Sequence, residues 1–489
     1  MEVQQIKGLG RELKKFLHEF ADCFARSEPR EHLRTYVQGQ LSDLPRKSIE
    51  PMALAAGVTP RTLQNFVAQL LWDGPRLRDR VQWIVAREHA HPQAIGIVDE
   101  SGNPKKGQHT AGVQRQWCGN TGKRDNCVVG VHLGYAAGDF QCLLDSVLYL
   151  PQAWVEDPVR RREVGIPEEV VFRTKPALAL EQIRRALGNG IRVAAWTFDE
   201  FYGRGQEFLD GLREWGQNFV GEVPCDATGW LHAPQVLQHP GPRRSRKGGP
   251  ARRYPRLARK SLPASEVRHL AVYSPVFRRQ KWQKFRIKDG EKGPLVWEVK
   301  YATFYRKQGR AGLPGPADTL IVARNVLDPR EIKYFLSNLV PDGRSVTLEW
   351  LLWVGFCRAP IERCFEIAKS ELGMDHFEMR SWRGLHRHWY LTQVSQLFCA
   401  RVQQQGREKK LSAEPLPDRR ASPLGGLCVG TGPSLSVVRQ NPHLRTGGRA
   451  NPVLSAEKPT GAHLALENDP TKAQSPWDQY PQTEVLYTG

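Results

Sequence analysis

No apolar run in this sequence is long enough to cross a bilayer. The longest, Leu348 to Cys357, carries Glu349 within it and falls well short of the roughly 20 residues a spanning helix needs. The first residues, Met1-Glu-Val-Gln-Gln, lack the basic and apolar regions of a secretory leader. The nine cysteines include no C-x2-C pair, so neither a zinc ribbon nor a disulfide framework is indicated. A reduced, cytoplasmic setting is the expectation. The fourteen histidines are scattered too, and the close pair His386-Arg-His388 reads as surface histidines. No repeat of solenoid period is present.

Acid is scarce relative to base. Lys and Arg number 71 against 51 Asp and Glu, a net charge of +20 over 489 residues. Such an excess points to a polyanion, most simply DNA or RNA. It is concentrated between Arg243 and Lys260, where nine Lys/Arg stand without one acid. A solvated loop is the plain alternative, and the two readings are compatible, because basic arms often order on nucleic acid. Hydrophobic residues make up 40% of the chain, enough for substantial cores, and the length allows roughly two to four domains.

Residues 1–88 read as helical. Thr59 is placed as an N-cap and Pro60 in the first turn, with Leu63, Phe66, Leu70 and Leu71 on one face. The preceding Ala55-Ala-Gly57 turn gives this segment a helix-turn-helix look, which suits DNA contact as well as it suits an ordinary bundle. From Ala94 the texture changes. Ala94-Ile-Gly-Ile-Val98 is a short, partly β-branched apolar run that reads as a buried strand delivering Asp99 at its tip. A polar turn with Lys105 and Lys106 follows. Residues 112–118, 126–133 and 143–150 continue as strands, and 178–187 as a helix. Ile191 to Phe198 is a second buried strand, ending in Asp199. A helix over 208–215 and a strand over 218–223 come next.

Residues 224–345 begin with the basic arm and continue as strands over 282–287, 295–304 and 319–324. Their alternation of apolar with basic residues predicts a half-exposed surface bearing cations and aromatics, Trp282 and Trp297 among them. A helix over 346–357 leads into Arg358-Ala-Pro-Ile-Glu-Arg-Cys-Phe-Glu-Ile-Ala-Lys369. There Pro360 suits a first turn, and Ile361, Phe365, Ala368 and Leu372 form one apolar stripe. Glu362 and Lys369, two turns apart, are expected on one line of that helix, where they serve either a metal and a phosphate or simply a solvated face. A closing helix is read over 389–402. Residues 406–489, rich in Pro, Gly, Ser and Asn, are expected to be disordered.

An Asp at the end of one strand is an ordinary turn residue. Two such strand ends, Asp99 and Asp199, with the helix-borne Glu362 make a set of three carboxylates. Such a set suits two divalent cations that activate water or a 3′-hydroxyl and stabilise the leaving oxygen in phosphoryl transfer. Oxygen donors favour Mg²⁺ or Mn²⁺, and Lys369 would meet a phosphate as a point charge.

Several long motifs, in order over residues 90–400, resemble those of DDE-superfamily transposases of bacterial insertion sequences. The first acid lies in Asp99-Glu-Ser-Gly-Asn-Pro-Lys-Lys-Gly107, continued by Gly112-Val-Gln-Arg-Gln-Trp-Cys-Gly119. The second lies in Phe198-Asp-Glu-Phe-Tyr-Gly203. The third lies in Arg358-x3-Glu362-x6-Lys369, similar to the group with the signature Tyr-x2-Arg-x3-Glu-x6-Lys, although Gly355 stands where the tyrosine belongs, with Phe356 beside it. Glu371 to Gly384 and Lys288 to Trp297 match further stretches of that group.

The resemblance implies an α/β fold: an RNase H-like catalytic core (89–223 and 346–405) with an inserted β-rich subdomain (224–345), ahead of which the helical segment 1–88 is expected to be a DNA-binding domain on its own pattern. It implies catalytic and metal-binding roles for Asp99, Asp199 and Glu362, and phosphate or DNA contacts from Lys105, Lys106, Arg358 and Lys369. It further implies Mg²⁺ or Mn²⁺ as cofactor, duplex DNA as partner, a homodimer on paired ends, cleavage through a DNA hairpin, and an aromatic of the insertion stacked on a flipped base. Other readings remain beside an active transposase. One is a degenerate copy that grips DNA without turnover. Another is a nuclease with a cellular role. A plain nucleic-acid-binding protein would have no use for three such carboxylates.

Overall fold

The computed structural model describes residues 3–238, 254–290 and 293–413. Most of the basic arm, 239–253, and the tail from 414 lie outside the described residues. Five helices come first: Val3–His18, Ser27–Leu41, Ile49–Ala55, Pro60–Ala68 and Gly74–Glu88. Pro60 opens its helix as expected. Thr59 does occupy the N-cap position, but its hydroxyl turns to the Thr62 hydroxyl, 2.9 Å away, and makes no backbone cap.

A five-stranded sheet follows, made of β1 (Ile95–Pro104), β2 (Gln114–Cys118), β3 (Lys123–Ala137), β4 (Phe140–Leu148) and β5 (Ala195–Phe198). β3 is the long member. Its first residues pair with β2, and the remainder is antiparallel to β1 on one side and to β4 on the other. β1 is antiparallel to β3 and parallel to β5. The helix Lys175–Gly188 lies between β4 and β5 in sequence, and the helix Gln206–Glu214 follows β5; Gln182 of the first donates its side-chain amide to the Val131 carbonyl at 2.9 Å.

The chain then forms β6 (Val220–Glu222), β7 (Thr228–Trp230), β8 (Val236–Leu237), β9 (Arg256–Leu257), β10 (Ser265–Glu266), β11 (Gln283–Gly290), β12 (Gly293–Gln308), β13 (Leu313–Asn325) and β14 (Ile332–Ser337). Except for the small β8–β9 pair, these strands make a seven-stranded sheet ordered β10-β7-β12-β13-β14-β6, with β11 on β12. The expected half-exposed surface is only partly present. Trp297 is 2% exposed and packs on Phe356, with ring centroids 4.8 Å apart. Trp282 is covered by two cations, Lys300 at 4.6 Å and Arg324 at 4.2 Å from its ring. β14 was not expected. It pairs with β13 on one edge and, over Phe335 to Ser337, with β6 on the other, and Tyr334 to Ser337 are all buried, so both faces are covered and no apolar–polar alternation marks it.

The closing helix is much longer than its expected span, running Trp382–Ala413. Its continuation past Gly406 is tied down by an ion pair between Arg407 and Asp139 at 3.1 Å. Leu391, Val394 and Leu397 of this helix share one hydrophobic cluster with Phe20, Tyr36 and Phe66 of the first helices and with Val131 and Leu133 of β3. Arg387 fastens the junction. Its guanidinium donates to the carbonyls of Val67 (3.2 Å), Leu70 (2.8 Å) and Trp72 (2.7 Å), where the helix Pro60–Ala68 ends. A guanidinium suits that place, because the last carbonyls of a helix have no donors of their own.

The expected surface histidines are core residues. His388 is hydrogen-bonded through Nδ1 to the Tyr36 hydroxyl (2.7 Å) and through Nε2 to the Met374 carbonyl (3.1 Å). His386 Nε2 accepts from the Leu148 N–H at 3.3 Å. A polar pair in sequence gives no sign that both of its members face inward from a central helix.

Burial lowers the pKa of both histidines to about 4, whereas in the unfolded chain each takes a proton near 6.5. Their contribution is therefore complete above about pH 6.5 and falls as the pH is lowered toward 4, below which it changes no further. Two protons taken up only on unfolding give a slope of about 3 kcal/mol per pH unit. Urea midpoints should thus drop between pH 7 and pH 5, and less so in His388→Gln. Equal midpoints at the two pH values would show that the pair is not held neutral.

Candidate active site

The parallel pairing of β1 with β5 sets Val98 opposite Phe198, so the next residues of the two strands, Asp99 and Asp199, are neighbours. β5 stops there. β1 does not: it runs on to Pro104, paired with β3 as far as Cys127. Asp99 is therefore a mid-strand residue opposite His132 and not the tip expected from the sequence, because β3 supplies a partner for every residue of the polar stretch. Asp199 begins a short helix, Glu200–Arg204, and its Oδ1 accepts the N–H groups of Phe201 (3.1 Å) and Tyr202 (3.3 Å).

Two carboxylates side by side in a dry place repel. Burial first, and then the charge of Asp99, push the Asp199 pKa up to about 7, against Arg358 and the Tyr202 N–H. Arg358 relieves the pair. It stands just ahead of the helix Ala359–Glu366, and its Nη2 donates to Asp99 Oδ2 at 3.1 Å. Its Nη1 lies 3.7 Å from Oε2 of Glu222, at the end of β6, and Glu222 Oε1 accepts from Lys333 at 2.7 Å. Burial would lower the Arg358 pKa, but Asp99, Asp199 and Glu222 outweigh it, and the net shift is upward.

Other groups surround the pair. Tyr202 is fully buried, and its hydroxyl has no hydrogen-bond partner among the described residues. Burial, with Glu100, Asp199 and Asp99, holds that phenol well above its usual pKa. Glu100 points to the other face of β1, where Lys175 meets it at 2.8 Å. On the Asp99 face, Ser101 and Asn103 follow at alternate positions, both buried, with Ser101 Oγ and the Asn103 amide without partners.

The remaining expected site residues divide. Glu362 is exposed. Its helix is seated by Ile361 on Gly134, where an added Cβ would come within 3.0 Å of the Ile361 side chain. Gly134 lies opposite Ile97, two residues before Asp99. The Glu362 carboxylate does not join the aspartate pair, and among the described residues no three His, Cys, Asp or Glu side chains stand close enough to hold a metal. The single line from Glu362 to Lys369 is broken as well. After Glu366 the chain makes one π-helical turn, Ile367–Glu371, and this wider turn rotates Lys369 off that line. Lys369 is largely buried, and its pKa is lowered by that burial against the pull of Asp375. Lys105 is turned inward: its ammonium donates to the Phe377 carbonyl at 2.8 Å and lies 3.3 Å from the Phe377 ring, with burial lowering its pKa to about 8. Of the two adjacent lysines only Lys106 is exposed.

Glu222, Lys333 and Tyr202 were missed by sequence reasoning. Glu222 comes from a three-residue strand of the second sheet, and no local pattern marks it. Ser101 and Asn103 did carry a signal, since with Asp99 they keep the period of two that puts residues on one face of a strand. The donor chemistry of Asp99 and Asp199, one buried and one half-buried carboxylate, the second pushed toward neutrality by desolvation and then by the first, fits a divalent cation held by oxygen.

The model of a family described as DDE superfamily endonuclease matches residues 19–294, a span that holds Asp99 and Asp199 and stops before Arg358 and Glu362. Over 185 residues the chain is 32% identical to a probable transposase for insertion sequence element IS701 of Microchaete diplosiphon. That match covers 37% of this chain and 46% of the relative, so the chain spans about half the length of the curated relative it matches. A solved structure of a piggyBac transposase synaptic complex with hairpin DNA aligns over 82% of this chain and 78% of that one, at 10% identity and a TM-score of 0.33, a likeness too low to carry an argument.

Gly355 ends the helix Leu348–Gly355 with the Phe335 ring against it. A Cβ there would lie 3.0 Å from the ring. Gly355→Ala gains roughly 1 kcal/mol of helix propensity and loses up to about 3 kcal/mol by overpacking. A net loss of about 1–2 kcal/mol is expected in thermal unfolding, recovered when Phe335 is also changed to Leu. An alanine variant as stable as the parent would show that the ring gives way freely.

Proposed function

The chain belongs to the DDE superfamily of endonucleases, and from that membership we propose that it is the transposase of a bacterial insertion sequence, cutting the element's ends and joining them to target DNA. The observation that carries this reading is the register that sets Val98 opposite Phe198 and so brings Asp99 against Asp199. The match to a probable insertion-sequence transposase supports it, and so does the net charge of +20. The strand order, with β1 between antiparallel β3 and parallel β5, supports an RNase H-like core. Six strands of the seven-stranded sheet are then its β-rich insertion, with β6 contributed by the first part of the core, and the first five helices are a DNA-contacting region.

Asp99 and Asp199 would hold Mg²⁺ or Mn²⁺, with Glu362 as the third acid. The cations would activate a water or 3′-hydroxyl and stabilise the leaving oxygen. The chain's own groups do the remainder. Arg358 and Lys369 bind phosphate oxygens, Arg358 with the planar fork that suits them. Lys106, exposed beside the acids in sequence, adds charge to the DNA path. Glu362 stands one helical turn past Arg358 and is exposed, and as third acid it would have to turn toward the aspartate pair when the cations bind. A homodimer on paired ends is the assembly that the resemblance to insertion-sequence transposases implies.

DNA flanking the gene, mixed with the purified protein and Mg²⁺ or Mn²⁺, is expected to break at defined ends. Asp99→Ala, Asp199→Ala and Glu362→Ala should each lower cleavage by about 1,000-fold or more. End binding should persist, because it rests on the cations that neutralise phosphates. Normal cleavage by Asp199→Ala would remove the three-acid assignment. Tight binding without breaks would make the chain a DNA-binding relative that has lost turnover.

A further inference from the structure

Arg358 faces acids from both sheets. Asp99 of β1 takes one of its terminal nitrogens at 3.1 Å, and Glu222 of β6 lies 3.7 Å from the other. Asp99 is already committed on its second oxygen, which accepts the Glu100 N–H at 2.8 Å. A cation that takes Asp99 therefore competes with Arg358 for Oδ2. A half-buried guanidinium that loses its hydrogen-bonded carboxylate is costly to leave uncompensated, so without a second seat Arg358 would defend Asp99 against the cation. Glu222 is such a seat. It is 8% exposed, and its far oxygen is fixed by Lys333 at 2.7 Å, which leaves the near oxygen facing Arg358.

We propose that Glu222 is a positioning residue: it receives Arg358 when a divalent cation takes Asp99, and holds the guanidinium in place for the DNA phosphate. This rests on the cation-dependent reading above. Glu222 acts here through Arg358 and not as a ligand of the cation. Lys333 limits how strongly Glu222 competes for Arg358, so the three residues divide one guanidinium between two acids.

The test is Mn²⁺ binding to the full chain without DNA, followed by the free-ion paramagnetic signal, with folding checked by circular dichroism. Glu222→Gln should weaken Mn²⁺ binding about tenfold, because Arg358 then sits on Asp99 alone. Arg358→Gln should strengthen it. The double variant should bind like Arg358→Gln, since the effect of Glu222 passes through Arg358. Lys333→Gln, at a partly exposed position, should act opposite to Glu222→Gln by freeing Glu222 for Arg358, and if Glu222→Gln fails to fold the decision falls to Lys333→Gln made with and without Arg358→Gln, its effect vanishing once Arg358 is replaced. Unchanged affinity in Glu222→Gln overturns the proposal. So does a Glu222→Gln penalty that persists with Arg358 replaced, the mark of a direct ligand or of plain through-space charge, and so does Lys333→Gln weakening binding. A parent chain that binds no Mn²⁺ sinks the cation reading itself, an outcome distinct from the others.

Discussion

Two like charges set side by side are the constraint on which this architecture turns. The β1–β5 register leaves Asp99 and Asp199 no distance to separate, and their burial denies them the water that would screen them. At low effective dielectric such a repulsion is worth several times its value in water. The chain answers it with one guanidinium, and three separate parts of the sequence, around residues 99, 199 and 358, therefore have to be in place together.

The surrounding packing is what delivers that guanidinium. The helix Leu348–Gly355 ends against the second sheet, with the glycine beneath Phe335 and with Phe356 between Trp297 and Phe335. The next helix then starts at Arg358 and rests on the first sheet through Ile361 and Gly134. A bulky residue at 355 and the ring of Phe335 would contend for one space. The tyrosine that the resemblance led us to expect at 355 would meet the Phe335 ring already at its Cβ.

Burial also decides what each basic residue does. Lys105 and Arg387 spend their donors on backbone carbonyls inside the structure, one beside the aspartates' strand and the other between the first helices and the long closing helix. Both are cations used as structural clamps. Lys106, one residue from Lys105, faces water. Runs of basic residues in a sequence carry no mark of this division.

The strands around Ile95, Ala195 and Leu320, the helices at residues 60 and 359, and the stripe through Ile361 were all legible, because period and capping chemistry are local properties. Asp99, Asp199 and Glu362 were legible as candidates through their motifs. The sequence by itself determined the elements, the excess of positive charge and the family. Tertiary structure alone decided that Asp99 lies within a strand, that Glu222 and Lys333 join Arg358, that Lys105, His386 and His388 turn inward, and that a π-turn displaces Lys369. Each of these depends on which groups meet across tens to hundreds of residues of chain, and local pattern holds no record of such meetings.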